Sequence, residues 1–198
     1  MIPVDFRLIL VDTNSDLCRE WEKHFDGDVE IRNCPFQDVE EFDCIVTAAN
    51  SFGLMDGGID GAINRFFGGD LEARVQAYII KNFCGEQPVG TSFILPTHNT
   101  DHPYLAHTPT MRSPMVIAGT DNTYDALRAA LLAVREKNKE EKLIRTLLCP
   151  GLGTAIGQMA AAWRNFSTPP EKLNWAHANK IQRSVECDGY LHYFAEED

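Results

Sequence analysis

Apolar residues in this chain alternate between short unbroken runs and longer stretches where they recur every three or four positions. The first run, residues 7–12, predicts a buried strand. Asn14 or Ser15 can cap the helix that follows, whose Leu17, Trp21 and Phe25 fall four apart. Val29 and Ile31 alternate in a second strand, residues 29–33. Residues 44–48 form a third with no polar alternation, as in a strand covered on both faces. A short helix over 61–67 comes next. A longer one, capped by Asp70, carries Leu71, Val75, Tyr78, Ile79 and Phe83 on one face and stops at Gly85. Strands at 91–95 and 104–108 flank a polar turn, 98–103. Asn122 caps a helix to about residue 139 that turns Tyr124, Leu127, Leu131 and Val134 inward, with 137–142 as its solvated end. Residues 144–149 are the last strand. A glycine loop, 150–157, runs into a helix carrying Met159 and Trp163. Ser167-Thr168-Pro169-Pro170 breaks the chain, a final helix covers roughly 171–185, and the acidic end, 195–198, is expected to fray. Strands alternating with helices predict an α/β fold with a largely parallel, covered sheet, in a single domain over 1–198.

The 198 residues are enough for one domain with a proper core. A net charge of −11 argues against duplex nucleic acid and acidic membranes as partners, both of which need clustered Lys and Arg. It leaves a small anion open, because backbone dipoles can hold one without net positive charge. No apolar stretch approaches the ~20 residues of a membrane span. Residues 1–5 lack a basic start, and Asp12 interrupts the first apolar run, so a cytoplasmic protein without a leader is expected. The six cysteines (18, 34, 44, 84, 149 and 187) have no C-x-x-C spacing, which favours buried free thiols over a disulfide framework or a zinc site.

The chemistry concentrates in residues 43–63. The run 44–48 ends in Ala49-Asn50, and Gly57-Gly58 follows, then Ile59, Asp60 and a helix start. A strand that opens through glycines onto a helix presents backbone N–H groups to a phosphate. The strand at 144–149 ends the same way. In an open α/β sheet ligands bind beyond the carboxyl ends of the strands, so two such loops can clamp a diphosphate. Neither loop is a Walker A or a G-x-G-x-x-G sequence.

Asn50 and Asp60 are the polar side chains best placed to read what carries the phosphate. Each also has a structural alternative: Asp60 can cap a helix beginning at Gly61, and Asn50 can fix its turn by an Asx-type bond. His98 and His102 with Asp101 lack a good third ligand and read as exposed loop residues, not a metal site. His107 reads as a hydrogen-bonded core residue and Arg112 as half of a surface ion pair. Trp163 and Trp175 read as packing residues, the second able to border the pocket. Ser51 and Ser92 have no nucleophile-elbow setting.

These residues resemble the macro domain family, the ADP-ribose-binding α/β modules. Val46-Thr47-Ala48-Ala49-Asn50 is similar to the family's Asn-Ala-Ala-Asn strand end, and Gly57-Gly58-Ile59-Asp60-Gly61-Ala62-Ile63 to its glycine turn and helix start. Pro88-Val89-Gly90, Tyr104-Leu105-Ala106-His107 and the loop 150–157 resemble later family segments in the right order, so the likeness spans roughly 29–165. The form of the second loop looks most like a bacterial or phage-type subgroup. The resemblance implies a three-layer α/β/α sandwich with a mixed, mostly parallel central sheet. It implies that Asn50 bonds the distal ribose, that Ala49, Gly57, Gly58 and Ile59 wrap that ribose and its phosphate, and that Asp60 positions or activates a water. Gly151, Leu152, Gly153, Thr154, Ala155, Ile156 and Gly157 would cradle the diphosphate.

Three positions depart from the family pattern. No acid stands near Pro35-Phe36, where the adenine-reading aspartate is usual, so Gln37 or Asp38 would substitute, or Phe36 would stack on the base. Thr47 replaces an asparagine, and Ala155 stands where glycine is common. The implied activity is hydrolysis of an ADP-ribosyl or O-acetyl-ADP-ribose ester, without metal or organic cofactor, on ADP-ribose that is free or attached to a protein. A non-catalytic ADP-ribose reader and an ADP-ribose 1″-phosphate phosphatase are the alternatives.

Overall fold

The structure is a computed structural model, and it describes residues 4–25, 27–139, 142–153 and 156–185. Thr154, Ala155, Cys187 and the acidic end lie outside these residues. Among the described residues six strands form one sheet: β1 (Arg7–Val11), β2 (Glu30–Arg32), β3 (Cys44–Asn50), β4 (Phe93–Pro96), β5 (Tyr104–Met111) and β6 (Thr146–Pro150). Their order across the sheet is β2-β1-β6-β3-β5-β4. Every pairing is parallel except β4 with β5, which form an antiparallel hairpin across the polar turn.

Apolar side chains alternate between the two faces of the sheet, which is why its central strands carry so few polar residues. Leu8, Leu10, Cys44, Val46, Leu147 and Cys149 point to one face. There they meet α1 (Ser15–His24), α4 (Asn122–Asn138) and α5 (Ile156–Ser167), with α6 (Trp175–Val185) laid on α5. Ile9, Val11, Ile45 and Leu148 point to the other, where α2 (Gly58–Phe66), α3 (Leu71–Phe83) and a 3-10 turn at Phe36–Asp38 cover them. The result is a three-layer α/β/α sandwich with a mixed, mostly parallel sheet. At its base the Asp43 carboxylate accepts from the Arg145 and Thr146 N–H groups, at 2.7 and 2.8 Å, and so ties β6 to the start of β3.

Helix ends follow capping chemistry, with some shifts from expectation. Asn14 caps α1, accepting from the Asp16 and Leu17 N–H groups at 2.9 and 3.3 Å. Asp70 stands at the cap position of α3 but makes no capping bond, because its carboxylate turns to Arg74, 3.2 Å away. Asp121, not Asn122, precedes α4, and the Asn122 amide donates instead to the Thr110 carbonyl at 2.9 Å. Helix α2 begins at Gly58, three residues before the expected start, since Gly57 and Gly58 join the helix entry and not the loop. The final helix starts at Trp175, whose side chain is exposed and packs no core.

β5 also runs past its expected end at residue 108. Pro109 has no N–H for the ladder, so a break at that point is reasonable. The strand instead continues through a bulge: Ala49 pairs with Pro109 and Asn50 with Met111, leaving Thr110 as the extra residue. The bulge lies beside the last residue of β3, where Asn50 leaves the sheet.

Candidate functional site

The two glycine loops leave neighbouring parallel strands. β3 ends at Asn50 and β6 at Pro150, and β6 lies between β3 and β1. The loops therefore face one crevice beyond the carboxyl ends of the strands, with α2 entering from one side and α5 from the other.

The first loop is braced by Asn50. Its amide donates to the Leu54 carbonyl at 2.8 Å, and its carbonyl oxygen accepts from the Phe52 and Leu54 N–H groups at 3.1 and 3.2 Å. The Asx-type role is thus real, and one amide hydrogen is left without a partner among the described residues. Gly53, with φ +65°, sits under the loop, where a Cβ would come 2.7 Å from Val75 Cγ1 and 2.9 Å from Ile79 Cδ1. Only glycine lets this loop lie on α3. The sequence reading passed over it, although its place three residues after Asn50 was a usable signal.

Helix α2 opens with Gly57 at its cap position and no side-chain cap bond. The first intrahelical donor is Gly61, whose N–H meets the Gly57 carbonyl at 2.8 Å. The N–H groups of Gly58, Ile59 and Asp60 precede it and belong to the open end of the helix, which suits an anion. Space above both glycines is clear: a Cβ at Gly57 or Gly58 would meet nothing within 4 Å.

Asp60 lies in the first turn of α2, not at its cap, so the capping alternative does not hold. It is only 6% exposed, and its Oδ1 has no hydrogen-bond partner among the described residues. Burial pushes its carboxyl up to about 7, overriding the helix N-terminus, which favours the charged form. A buried carboxyl left unpaired costs stability, and such a cost is typical of a functional group.

The second loop packs on the first strand and helix. A Cβ at Gly151 would come 2.9 Å from Asp12 Oδ2 and 3.0 Å from Leu17. Gly153 has φ +60° and lies under Ile117, whose Cδ1 would stand 2.9 Å from a Cβ there. Ile156 and Gly157 open α5, with Gly157 exposed. Leu152 is buried in the core, so only its backbone can face the crevice.

The base end of the site differs from expectation. Phe36 is 4% exposed and set edge-on to Phe66 at 5.3 Å between ring centroids, so it offers no free face for stacking. Asp38 lines a cleft of about 280 Å³ with Arg7, Ile9, Glu30, Arg32 and Cys34, along the β2 edge of the sheet, and no described residue of either glycine loop lines it. Gln37 is exposed on the same 3-10 turn. The acid nearest the crevice on this side is Asp12, just past the end of β1. Its Oδ1 accepts from the Asn14 N–H at 2.9 Å, and its Oδ2 borders Gly151.

Thr47, which stands in for an asparagine, is wholly buried, and its hydroxyl accepts from the Thr108 N–H at 3.3 Å. His107 is a core residue bonded through Nδ1 to Gln87 at 2.6 Å, with its ring held neutral and its pKa driven down to about 3 by burial. His102, expected in solvent, is buried: it stacks on Phe42 at 3.8 Å, with Nδ1 2.9 Å from the Phe42 carbonyl. No group of three or more His, Cys, Asp or Glu placed to hold a metal occurs among the described residues. Arg112 pairs with Glu86 at 2.8 Å, and Trp163 is buried. Cys18, Cys34, Cys44, Cys84 and Cys149 are free thiols. No helix among the described residues is long and apolar enough to cross a membrane.

Comparison with known proteins brings these features together. The family model described as Macro domain matches residues 46–162, which takes in both glycine loops. An uncharacterized protein of Aquifex aeolicus (strain VF5) is 30% identical over 116 residues, covering 58% of this chain and 63% of that protein. The chain thus spans less than two thirds of the length of this curated relative. The macrodomain of Mycobacterium tuberculosis DarG matches at 19% identity and a TM-score of 0.49, over 77% of this chain and 85% of that one. The Oceanobacillus iheyensis macrodomain with ADP matches at 18% identity and a TM-score of 0.46, over 64% and 86%.

Proposed function

The chain belongs to the macro domain family, the ADP-ribose-binding modules, and on that premise we propose that it binds ADP-ribose and hydrolyses an ester at the distal ribose. The reading rests on one observation above all: a buried carboxyl, Asp60, in the first turn of the helix that opens the site, whose Oδ1 has no partner among the described residues.

In this reading the distal ribose lies against the first loop, with the spare Asn50 N–H on a ribose hydroxyl. The diphosphate lies between the open start of α2 and the loop at 151–157. The base then falls on the far side of β6, over β1, where Asp12 can accept from an exocyclic amine. A water beside the ester donates to the Asp60 carboxylate. As the water attacks the acyl carbon, Asp60 takes its proton; the bond from that carbon to the ribose oxygen then breaks, Asp60 returns the proton to the ribose oxygen, and the acyl group leaves with the oxygen of the water. The α2 N–H groups stabilise the charge that develops next to the phosphate. No resident metal or organic cofactor is required by this chemistry.

The test has two parts. Calorimetry with ADP-ribose should show micromolar affinity or better, about −8 kcal/mol. Release of ADP-ribose from mono-ADP-ribosylated protein, or of acetate from O-acetyl-ADP-ribose, should depend on Asp60. Absence of ADP-ribose binding at millimolar concentration overturns the reading.

A further inference from the structure

His107 and Gln87 form a buried polar pair that the chemistry proposed above does not use. Both side chains are fully buried. Gln87 Nε2 faces the carbonyls of Thr91 and His107, both at 3.3 Å, and the Thr91 hydroxyl at 3.1 Å. Carbonyls only accept, so the amide nitrogen must stand there and Oε1 must turn to the His107 ring, 2.6 Å from Nδ1. Nδ1 therefore carries the proton of the neutral imidazole. Nε2 is left as an acceptor with no partner among the described residues.

The pair reaches the candidate site through the backbone. Gln87 lies between α3 and β4, in a stretch that holds only turns. There its N–H donates to the Ser51 carbonyl at 2.9 Å. Ser51 follows Asn50 in the first loop and is buried. Its N–H is shared between the Met111 and Arg112 carbonyls, both at 3.1 Å, so both of its backbone polar groups are tied. His107 stands opposite Thr47 in the pairing of β5 with β3, and Thr47 is three residues before Asn50. Gln87 thus takes its place from the sheet through its side chain and passes that place to the loop through its N–H.

We propose that Gln87 is a positioning residue: anchored by His107, it fixes Ser51 and so sets where the neighbouring Asn50 amide meets the distal ribose. The inference rests on the ADP-ribose reading above. Other contacts keep the loop attached when Gln87 no longer bonds, since Asn50 bonds across it and Gln76 Nε2 donates to the Gly53 carbonyl at 3.4 Å. Neither holds Ser51. A displacement of about 1 Å there is enough to break a hydrogen bond to a ligand. In the same reading the diphosphate is held by α2 and the second loop, so the effect falls on ligands that carry a distal ribose.

The experiment compares ADP-ribose with ADP, which lacks that ribose, by calorimetry at matched folded concentration. Gln87→Leu is close in size to the wild type and cannot make the side-chain bonds. It should bind ADP-ribose about tenfold more weakly, the effect of one misaligned hydrogen bond, and ADP within about twofold of wild type. If Gln87→Leu does not fold, Thr91→Val removes only the hydroxyl partner and should weaken ADP-ribose alone, by about threefold. Asn138→Ala is the control: it removes buried bonds to Ile144 near the start of β6, far from the loop, and should leave both affinities unchanged. Unchanged ADP-ribose affinity in the Gln87 or Thr91 variant, or equal losses for the two ligands, overturns the positioning role. So does a matching loss in Asn138→Ala, since lower stability alone would then explain it. If wild type itself does not bind ADP-ribose, or binds it no better than ADP, the reading of the site fails and the role of Gln87 falls with it.

Discussion

Asn50 and Leu54 hold each other across the β3–α2 loop: the Asn50 amide donates to the Leu54 carbonyl at 2.8 Å, and the Leu54 N–H returns to the Asn50 carbonyl oxygen at 3.2 Å. One side chain thus does the work of a neighbouring strand for this turn. In the proposed reading Asn50 then has two duties, bracing the loop and offering its remaining N–H to the ligand.

Asn50→Ala should therefore weaken binding and loosen the loop together. Loss of the bonds to Phe52 and Leu54 should cost about 1–2 kcal/mol of stability. Amide exchange over 51–57 should rise while that of β3 stays slow. ADP-ribose affinity should fall at least about tenfold, a loss of one hydrogen bond to a ligand hydroxyl plus the loop disorder. Unchanged exchange with reduced affinity would mean that Asn50 serves the ligand alone.

Gly57 and Gly58 separate steric occlusion from backbone strain. Gly57 has φ −139°, open to any residue, while Gly58 has φ +55°. Neither position meets protein atoms where a Cβ would stand. Gly57→Ala should fold normally, and any loss of ADP-ribose binding there reports a clash with the ligand. Gly58→Val should lose binding and also about 1–2 kcal/mol of stability or more, from a left-handed conformation that a branched side chain resists. Calorimetry and thermal unfolding of both variants make the comparison.

Asp60 should write its titration into the rate. With its carboxyl at about 7, the ionised form that accepts a proton falls away below neutrality. The kcat/KM for ester hydrolysis should rise with pH, close to tenfold per pH unit below about 6, and level off above about 7 to 8. Asp60→Asn should remove this limb and lower turnover by about 10²–10⁴-fold, with a much smaller change in ADP-ribose affinity. Wild-type rates from Asp60→Asn at matched folded concentration would sink the assignment.

Two buried groups should pull stability in opposite directions with pH. Asp60 is raised in the folded protein, so its burial costs nothing below about 4, and the cost grows as pH rises through 7. His107 is lowered to about 3, so its support is complete above its ordinary 6.5 and is lost as pH falls from there towards 3. Between about 4 and 6.5 the two slopes offset each other. Asp60→Asn should unmask the His107 slope. The variant should match wild type near pH 4 and exceed it at pH 8, by at most about 4 kcal/mol, the value of a rise from 3.8 to about 7. Urea unfolding at four or five pH values reads both curves.

Much of this fold could be read from periodicity, because unbroken apolar runs and fourfold spacing are local signals. The failures were also local and physical. Two adjacent glycines read as loop, so the start of α2 was placed three residues late and Asp60 was offered a capping role that Gly57 already fills. The strand expected at 104–108 ran on to Met111, because a bulge carried β5 past Pro109, and a bulge leaves no periodic signal. His102 read as exposed within a polar turn, since its stacking partner, Phe42, lies 60 residues earlier in the chain. Asn50 and both glycine loops were legible because they form a contiguous pattern. The Ile117 contact over Gly153 and the Asp12 contact with Gly151 were not, because each depends on which strands become neighbours.

The position of β6 has a consequence for how the protein reaches its working state. It is the last strand in sequence, yet it lies between the first and the third, with Arg7 reaching Thr146 across 139 positions. The hairpin of β4 and β5 and its pairing with β3 close much shorter lengths of chain, so they meet a smaller entropic barrier and are expected to organise first. The wedge strand then enters a gap framed by its neighbours, and only at that step does the start of α5 arrive opposite α2. In the proposed reading, a nascent or partly unfolded chain can hold Asn50 and Asp60 in place and still have nothing to grip a diphosphate. On that reading nucleotide affinity is coupled to global folding, and ligand should raise the barrier to complete unfolding more than it slows fraying at the sheet edges.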